Sequence, residues 1–254
     1  MKRRKRGIII AIDGTAASGK STTARALAHL LGYGYLDTGA MYRAMALKIL
    51  RAGIRLPPTI STGSSLITEV APETLSQIDS LAENTSISVR NEKGSVCVYL
   101  DGEDVTDLIR TQEVSSMASI VSTLPRVREV LVREQRRAGQ EGGIVAEGRD
   151  IGTIVFPDAE LKIFMTASLD ERARRRKREL LVQGAEVSDE EVKRELRERD
   201  ERDSSRAYSP LRKAPDAVEL DTTKLTIDEQ VKIVMNLAQK RISSGKTWIC
   251  GLWK

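Results

Sequence analysis

The chain has 254 residues, enough for one sizeable α/β domain with a small insertion. Charged residues make up 30% of it and aromatic residues only 4%, a composition typical of a soluble, helix-rich enzyme. No apolar run reaches the roughly 18 residues that a membrane-spanning helix needs. Cys97 and Cys250 are far apart in sequence, which weighs against a disulfide framework or a zinc site. A reducing, cytoplasmic compartment is expected.

The formal net charge of +5 indicates anionic partners, and nucleotides, nucleic acids and membrane surfaces all qualify. The basic start, Lys2–Arg6, precedes an apolar run, Gly7–Ile12, and the two together superficially resemble a signal peptide. The apolar run is too short for that and leads into Asp13 without a cleavage site. We therefore predict a solvated basic tail, which is favoured over a nucleic-acid contact, and then a buried strand.

The first predicted elements are regular. Gly7–Ile12 is a β-branched run that fits a central parallel strand, buried on both faces. Ser21–Leu31 places its small and apolar residues on one face and predicts a helix. Ala40–Ala52 predicts a second helix, which Gly53 ends.

The composition changes between Pro57 and about Arg110, where serine and threonine become frequent. Ile87–Arg90 and Val96–Leu100 alternate between apolar and polar residues, and Asn91–Gly94 between them is typical of a hairpin turn. The segment predicts a small antiparallel insertion.

Helices and strands alternate through the rest of the chain. This alternation predicts a doubly wound α/β fold with a parallel sheet. The predicted helices are 111–122, 125–137, 169–183, 188–203 and 227–242, and the predicted strands are 143–146, 161–165 and 217–220.

A phosphate loop follows the first predicted strand and matches the pattern G-x-x-x-x-G-K-[ST] at every fixed position. Gly14 and Gly19 permit close backbone approaches, and the helix that begins near Lys20 directs its N–H groups at a phosphate. Lys20 would lie between the β- and γ-phosphates, and Ser21 or the adjacent Thr22 would supply a hydroxyl to Mg²⁺. The residues predicted to bind the triphosphate are Gly14, Thr15, Ala16, Ala17, Ser18, Gly19, Lys20, Ser21 and Thr22.

A guanine-reading segment of the type found in regulatory GTPases is not evident. Instead, arginines lie beside small polar residues in four separate segments. Such a set suits a site for two polyanions, because repulsion between donor and acceptor phosphates must be screened before they can meet.

Several further motifs occur in order and at sensible spacing from about Ile8 to about Lys240. Together they resemble the bacterial cytidylate kinases, P-loop enzymes that phosphorylate CMP and dCMP, and they are far more specific than the phosphate loop alone. The segments that carry the resemblance are Asp13–Ser21, Leu36–Arg43, Ile109–Val114, Pro125–Glu129, Glu147–Thr153, Phe156–Ala159, Arg199–Asp203, Arg206 and Asp221–Thr223.

The resemblance implies a three-layer P-loop NTPase fold with a parallel central sheet, a helical lid and a small antiparallel insertion that binds the monophosphate. Residues 1–56 and 111–254 would form the kinase core, with the lid at about 169–203 and the insertion at 57–110. The ends, 1–6 and 243–254, are expected to be flexible tails.

The resemblance also assigns roles to individual residues. An acid complements the exocyclic amine of cytosine and an arginine complements its acceptors, whereas uracil has a carbonyl in place of that amine. Lys20, Arg149, Arg172 and Arg176 are expected to stabilise the transferring phosphoryl group. The residues expected around the monophosphate are Thr38, Arg43, Arg149 and Arg206, those expected to read the base are Ser119, Arg128 and Asp150, and those near the sugar are Arg199 and Asp203. Asp37 is also expected among the substrate-binding residues.

The expected reaction is ATP-dependent phosphorylation of CMP and dCMP, with Mg²⁺, by a cytoplasmic monomer that binds neither nucleic acid nor membrane. Two alternatives stay open at this point. One is another P-loop kinase, acting on a different monophosphate or on shikimate. The other is a nucleotide-dependent nucleic-acid-binding protein, suggested by the net charge and by the basic run Glu171–Arg178, although no aromatic residues interleave that run to stack bases.

Overall fold

A computed structural model describes residues 4–56, 70–92, 95–182 and 184–246 of the chain. The chain divides into two compact units. The first takes its residues from Met1–Tyr35 and Gly139–Lys254, and the second is Leu36–Ala138. No helix among the described residues is long and apolar enough to cross a membrane.

Eight strands and eight longer helices are named here in chain order. The strands are β1 Ile9–Gly14, β2 Gly34–Asp37, β3 Ile87–Glu92, β4 Ser95–Leu100, β5 Glu103–Asp104, β6 Ile144–Gly148, β7 Leu161–Thr166 and β8 Val218–Asp221. The helices are α1 Lys20–Leu31, α2 Thr38–Arg51, α3 Pro72–Glu83, α4 Gln112–Val121, α5 Pro125–Ala138, α6 Leu169–Val182, α7 Asp189–Ser205 and α8 Ile227–Lys246. Two short helical turns, Leu108–Arg110 and Ile151–Val155, complete the set in the described ranges.

The first unit is built on a five-stranded sheet with the order β2-β6-β1-β7-β8. β1 lies at its centre and pairs in parallel with β6 and β7, so every residue of β1 is buried. This burial explains the run of isoleucines, since each fully buried isoleucine contributes roughly 1.5–3 kcal/mol. Asp13 of β1 is in register with Gly148 of β6. The phosphate loop and the segment Arg149–Asp150 therefore follow their strands at the same edge of the sheet, where open α/β sheets bind ligands.

Helices α6 and α7 cover the segment that the sequence analysis predicted to be a lid, and they belong to the first unit. Ala173 and Leu180 of α6 pack against Val192 and Leu196 of α7, and Ala16 of the phosphate loop joins the same apolar cluster. Both helices are highly charged, but each has a narrow apolar stripe through which it packs against its neighbour.

The second unit carries the antiparallel sheet, with the order β3-β4-β5. Ion pairs within this unit fix helix α2 to the loop after β4 and to β5: Lys48 Nζ lies 2.5 Å from Asp101 Oδ2, and Arg51 Nη1 lies 2.6 Å from Glu103 Oε2. Ile78 and Ala82 of α3 are fully buried.

The fold class predicted from the sequence is confirmed, and so is the antiparallel hairpin, in which Ile87 pairs with Leu100. The sequence analysis missed α3 and β2, because α3 lies in a serine- and threonine-rich segment and β2 has only four residues. The second compact unit is also wider than the expected insertion at 57–110, since it includes α2, α4 and α5. Residues 93–94 of the predicted turn lie outside the described residues.

The predicted tail boundaries need correction at both ends. Arg4, expected in a flexible tail, is almost fully buried and its Nε lies 3.1 Å from Glu160 Oε1. The second oxygen of Glu160 accepts the N–H of Ile9 at 2.8 Å, so this acid ties the N-terminus to the start of β1. Helix α8 continues to Lys246, past the predicted boundary at 243. The remaining predicted tail residues, 1–3 and 247–254, lie outside the described part of the chain.

Candidate active site

The phosphate loop has the backbone geometry that its glycines predict. Gly14 has φ +148°, and a Cβ on it would lie 1.9 Å from the carbonyl oxygen of Met165. Gly19 has φ +94° and precedes α1, whose first turn has no side-chain cap. The N–H groups of that turn are thus left for a ligand, and the helix dipole makes a negatively charged one favourable.

Lys20 is buried inside this loop. Its Nζ donates a hydrogen bond of 2.5 Å to the carbonyl oxygen of Thr15, and it lies 3.4 Å from Ser18 Oγ. Burial, together with the positive charge of Arg149, lowers the pKa of Lys20 to about 7. An added phosphate would reverse that shift, because it supplies the opposite charge next to the ammonium.

Glu147, at the end of β6, connects the loop to the sheet. Its carboxylate accepts a 2.9 Å hydrogen bond from Ser21 Oγ and a second one from the hydroxyl of Tyr35. Within the described residues, no group of three or more histidines, cysteines or acids is arranged to hold a metal. Ser21 Oγ and Glu147 nevertheless place a hydroxyl beside a carboxylate, both of which are oxygen donors that Mg²⁺ accepts.

Arg149, Asp203 and Arg206 form a buried cluster, the Arg–Asp–Arg cluster. Arg149 Nε lies 2.7 Å from Asp203 Oδ2, and Arg206 Nη2 lies 3.2 Å from Asp203 Oδ1. Burial alone would raise the pKa of Asp203, but Arg149 and Arg206 outweigh it and lower that pKa to about 2. Burial likewise acts against the charge of Arg149, and Asp203 overcomes it and raises the pKa of Arg149. The positive charge of Arg199 also helps to lower the pKa of both Lys20 and Asp203.

Asp150 follows Arg149 directly and is buried. The next two residues are fixed by the last carboxylate of β1: Ile151 N donates to Asp13 Oδ1 and Gly152 N donates to Asp13 Oδ2, both at 2.7 Å. Burial raises the pKa of Asp13 to about 6, although both N–H groups oppose that rise.

The lid arginines differ in their surroundings. Arg172 is buried, with Nη1 2.7 Å from Asp200 Oδ2 and Nε donating to the carbonyl oxygen of Ala167 at 3.1 Å. Arg176 is more exposed and lies 3.4 Å from Glu179. Arg172 therefore has a fixed guanidinium, whereas Arg176 is better able to move toward a ligand.

Arg175, which the sequence analysis did not single out, connects the lid to the phosphate loop. It donates to the hydroxyl of Thr222 at 3.0 Å and to the Thr222 carbonyl oxygen at 2.7 Å. The hydroxyl of Thr222 donates to the carbonyl oxygen of Ser18 at 2.8 Å. The quoted motif Asp221–Thr223 was the sequence signal for this connection.

The second unit holds five of the predicted substrate residues. Asp37 caps α2 by accepting the N–H of Ala40 at 2.8 Å, and its other oxygen lies 3.1 Å from Arg43 Nη2. Thr38, at the first position of α2, is buried. Ser119 of α4 is also buried.

Arg128 of α5 is buried as well, which is unusual for an isolated arginine on a helix. Its Nη1 donates to the carbonyl oxygen of Ser122 at 3.0 Å, and its guanidinium lies 5.5 Å from the ring centre of Tyr42. The planar group is thus held in one orientation, a prerequisite for paired hydrogen bonds to a base.

The predicted site residues thus fall into groups within their own units. In the first unit, Lys20, Asp150 and the Arg–Asp–Arg cluster lie at the carboxyl edge of the sheet. In the second, Asp37 and Arg43 meet at the start of α2. The sequence analysis quoted Glu147 and Asp13 only as parts of motifs. Their place at the ends of two buried strands was the signal that could have identified them.

Comparison with known sequences points to one family. A model of the family described as cytidylate kinase matches residues 10–240. A cytidylate kinase from Chloroherpeton thalassium is 50% identical over 243 residues, which cover 94% of this chain and 96% of that protein. A cytidylate kinase from Geobacillus kaustophilus is 45% identical over 238 residues, covering 94% and 99%. Among solved structures, a gluconokinase from Sinorhizobium meliloti aligns over 95% of this chain and 97% of its own, with 12% identity and a TM-score of 0.45.

Proposed function

The chain belongs to the cytidylate kinase family, and on that premise we propose that it transfers the γ-phosphoryl group of ATP to CMP and dCMP. The observation that carries the proposal is a pair of arginines in the first unit. The guanidinium groups of Arg149 and Arg206 converge on one buried carboxylate, Asp203, close enough to the phosphate loop for the charges of Arg149 and Asp203 to act on Lys20. We propose this pair as a second anion site. No comparison favours the alternative, a kinase for another small molecule.

The reaction needs little covalent chemistry from the protein. The acceptor oxygen of a nucleoside monophosphate is already an anionic nucleophile, so alignment and charge neutralisation are sufficient and no general base is required. Lys20 neutralises the β- and γ-phosphates, and Arg149 binds the acceptor phosphate and the transferring group. Arg172 and Arg176 add positive charge from the lid, which excludes water and so suppresses hydrolysis of ATP.

Mg²⁺ is proposed as the metal of the reaction. The hydroxyl of Ser21 is the proposed ligand, because it already contacts Glu147, whereas no such contact is described for Thr22. Bound there, the metal would neutralise charge on the β- and γ-phosphates. Glu147 would hold the Ser21 hydroxyl in place.

For recognition of the acceptor, we propose the assignment of residues to base, sugar and phosphate that the family resemblance implies. Asp150 and Arg128, with Ser119, read cytosine, and Arg199 and Asp203 approach the sugar. The fixed orientation of Arg128 and the anchored turn after Asp150 support this assignment. The phosphate is bound by arginines rather than lysines, because their planar forks pair with its oxygens. Thr38 and Arg43 complete the proposed phosphate site, and Asp37 is proposed to hold Arg43, whose Nη2 lies 3.1 Å from its carboxylate.

A coupled ADP-release assay across CMP, dCMP, UMP, AMP and GMP tests the proposal. We expect turnover of CMP and dCMP and at least about tenfold lower kcat/KM for UMP, since an acid facing a carbonyl leaves two acceptors unpaired. Equal turnover of UMP and CMP would contradict the proposed reading of cytosine. Turnover of AMP or GMP above that of CMP would contradict the proposed function itself.

We also propose that the protein acts as a monomer in the cytoplasm and does not use nucleic acid as a partner. Sedimentation at several protein concentrations tests the first statement. Retention on oligonucleotides at moderate salt would contradict the last one and would return attention to the basic run of the lid.

A further inference from the structure

The proposed reaction gives no role to the carboxylate of Asp13, although this group lies at the carboxyl edge of the sheet, beside the proposed site. Asp13 is the last residue before the phosphate loop, and it is 4% exposed. Each of its two oxygens accepts one backbone hydrogen bond, Oδ1 from the N–H of Ile151 and Oδ2 from the N–H of Gly152. Burying a carboxylate costs free energy of folding, so the presence of Asp13 at this point calls for a functional explanation.

The two N–H groups belong to the residues that follow Asp150. Asp150 itself has φ −145° and ψ 24°, outside the regular helix and strand regions, and it is followed at once by the turn Ile151–Val155. Such a backbone conformation depends on its surroundings. Two sets of contacts hold it here: the bonds from Ile151 and Gly152 to Asp13, and the Asp150 carbonyl oxygen, which accepts the N–H groups of Ile154 and Val155 at 2.8 and 3.1 Å. The backbone that carries the Asp150 side chain is therefore held in part by an acid on a neighbouring strand.

We propose that Asp13 is a positioning residue for base selection: it fixes the turn after Asp150, and so it sets the place at which the Asp150 carboxylate meets the amine of cytosine. This inference rests on the proposed function, because it assigns to Asp13 a role in the reading of the acceptor. The role proposed for Asp13 is one of positioning, since each of its oxygens accepts a backbone N–H group.

The variant Asp13→Asn removes one of the two hydrogen bonds and leaves the volume of the side chain nearly unchanged. An amide has a single acceptor oxygen, and its NH₂ group would face one of the two N–H groups, so one donor loses its partner. We expect the KM for CMP to rise and the ratio of kcat/KM for CMP to that for UMP to fall, each by about tenfold, because small displacements of a substrate-binding group have effects of this size or larger. The KM for ATP should stay within about twofold.

A second variant, Gly152→Ala, perturbs the same contact and leaves the charge of Asp13 unchanged. A Cβ on Gly152 would lie 3.3 Å from Asp13 Oδ2 and 3.1 Å from Cδ of Lys162. Both neighbours must yield by a few tenths of an ångström, so the same two quantities should move in the same direction by a smaller factor.

Glu160→Gln is the matched control. Glu160 is also a buried acid that accepts a backbone N–H of β1, but it lies at the opposite end of that strand. Its substitution should lower the thermal stability and leave the selectivity for CMP over UMP unchanged.

The outcomes separate the inference from the proposed function. If the wild-type protein does not prefer CMP to UMP, the proposed reading of cytosine fails before any variant is made. If the wild type prefers CMP and Asp13→Asn keeps the same selectivity, or raises the KM for ATP as much as that for CMP, Asp13 only supports the phosphate loop and the inference is wrong. A loss of stability alone, of the kind expected for Glu160→Gln, would equally overturn it.

Discussion

Replacement of Asp203 by asparagine tests how the Arg–Asp–Arg cluster is balanced. The pKa of Asp203 is lowered from 3.8 to about 2 in the folded protein, and one pKa unit corresponds to about 1.4 kcal/mol. The charge of Asp203 therefore contributes about 2.5 kcal/mol of stability at neutral pH. Its loss also removes from the buried Arg149 and Arg206 the carboxylate that both contact, and breaking a buried pair costs about 3–5 kcal/mol. We expect Asp203→Asn to lower the free energy of unfolding by about 3 kcal/mol.

An anion that binds the two arginines should compensate for this loss. In the wild type, inorganic phosphate must compete with Asp203 for Arg149 and Arg206. In Asp203→Asn that competing carboxylate is absent, so phosphate should bind the same arginines more tightly. Urea unfolding with and without phosphate should therefore show a larger stabilisation in the variant than in the wild type, by about 1 kcal/mol or more at a phosphate concentration well above the variant's Kd.

Asp216→Asn is the control for this experiment. Asp216 Oδ1 lies 2.9 Å from the buried Nζ of Lys162, so the substitution removes an acid from another cation in the same unit. Asp216 is largely exposed, and the expected loss is smaller and independent of phosphate. If phosphate stabilised Asp203→Asn and the wild type equally, Arg149 and Arg206 would not be the phosphate ligands proposed above.

Four further predictions concern other residues of the first unit and its stability at low pH. Lys20→Met should lower kcat by about a hundredfold or more with little loss of stability, because it removes charge from the transferring group; a variant that keeps its rate would contradict the role of Lys20. Gly14→Ala should prevent folding or lower the thermal midpoint strongly, since its Cβ would overlap the carbonyl oxygen of Met165, and circular dichroism during heating measures this. As the pH falls from about 4 to 2, Asp203 should lose its stabilising contribution, because its folded pKa is depressed. Asp13 has the opposite effect on stability, because its pKa is raised from 3.8 to about 6. Its charged form therefore lowers the free energy of unfolding by about 3 kcal/mol above pH 6, and this loss disappears as the pH drops toward 4. Asp13→Asn should therefore remove the part of the pH dependence that lies between about 6 and 4, and an unchanged curve in urea unfolding would contradict the raised pKa.

The sequence was sufficient for the parts of the fold that depend on local patterns. β1 and α1 were predictable because an apolar run, a glycine loop and an amphipathic helix follow one another within a few residues. The hairpin of β3 and β4 was predictable from its alternation. Helix α3 was not, since its buried face consists of little more than Ile78 and Ala82 and its remaining residues are polar.

The site was predictable only in part, for a different physical reason. Motifs showed which residues carry charge, but not how those charges pair across distant segments. Asp203 was expected near a sugar, and its contacts in the structure are to Arg149 and Arg206. Asp13 was expected only as the residue before a phosphate loop, and its bonds reach a turn 138 residues further along the chain. Pairing of this kind depends on the order of strands in the sheet, which short motifs do not encode.

The central position of β1 also has a consequence for the synthesis of the chain. β1 is made first, but the strands on both its sides, β6 and β7, end only at Gly148 and Thr166. At roughly 5–20 residues per second, the ribosome needs about 8–30 seconds after β1 to produce both partners. During that interval a strand of isoleucines has no neighbour within its sheet. The basic residues that precede it then help to keep the nascent segment in solution, because charges that flank a hydrophobic strand oppose its association with other chains.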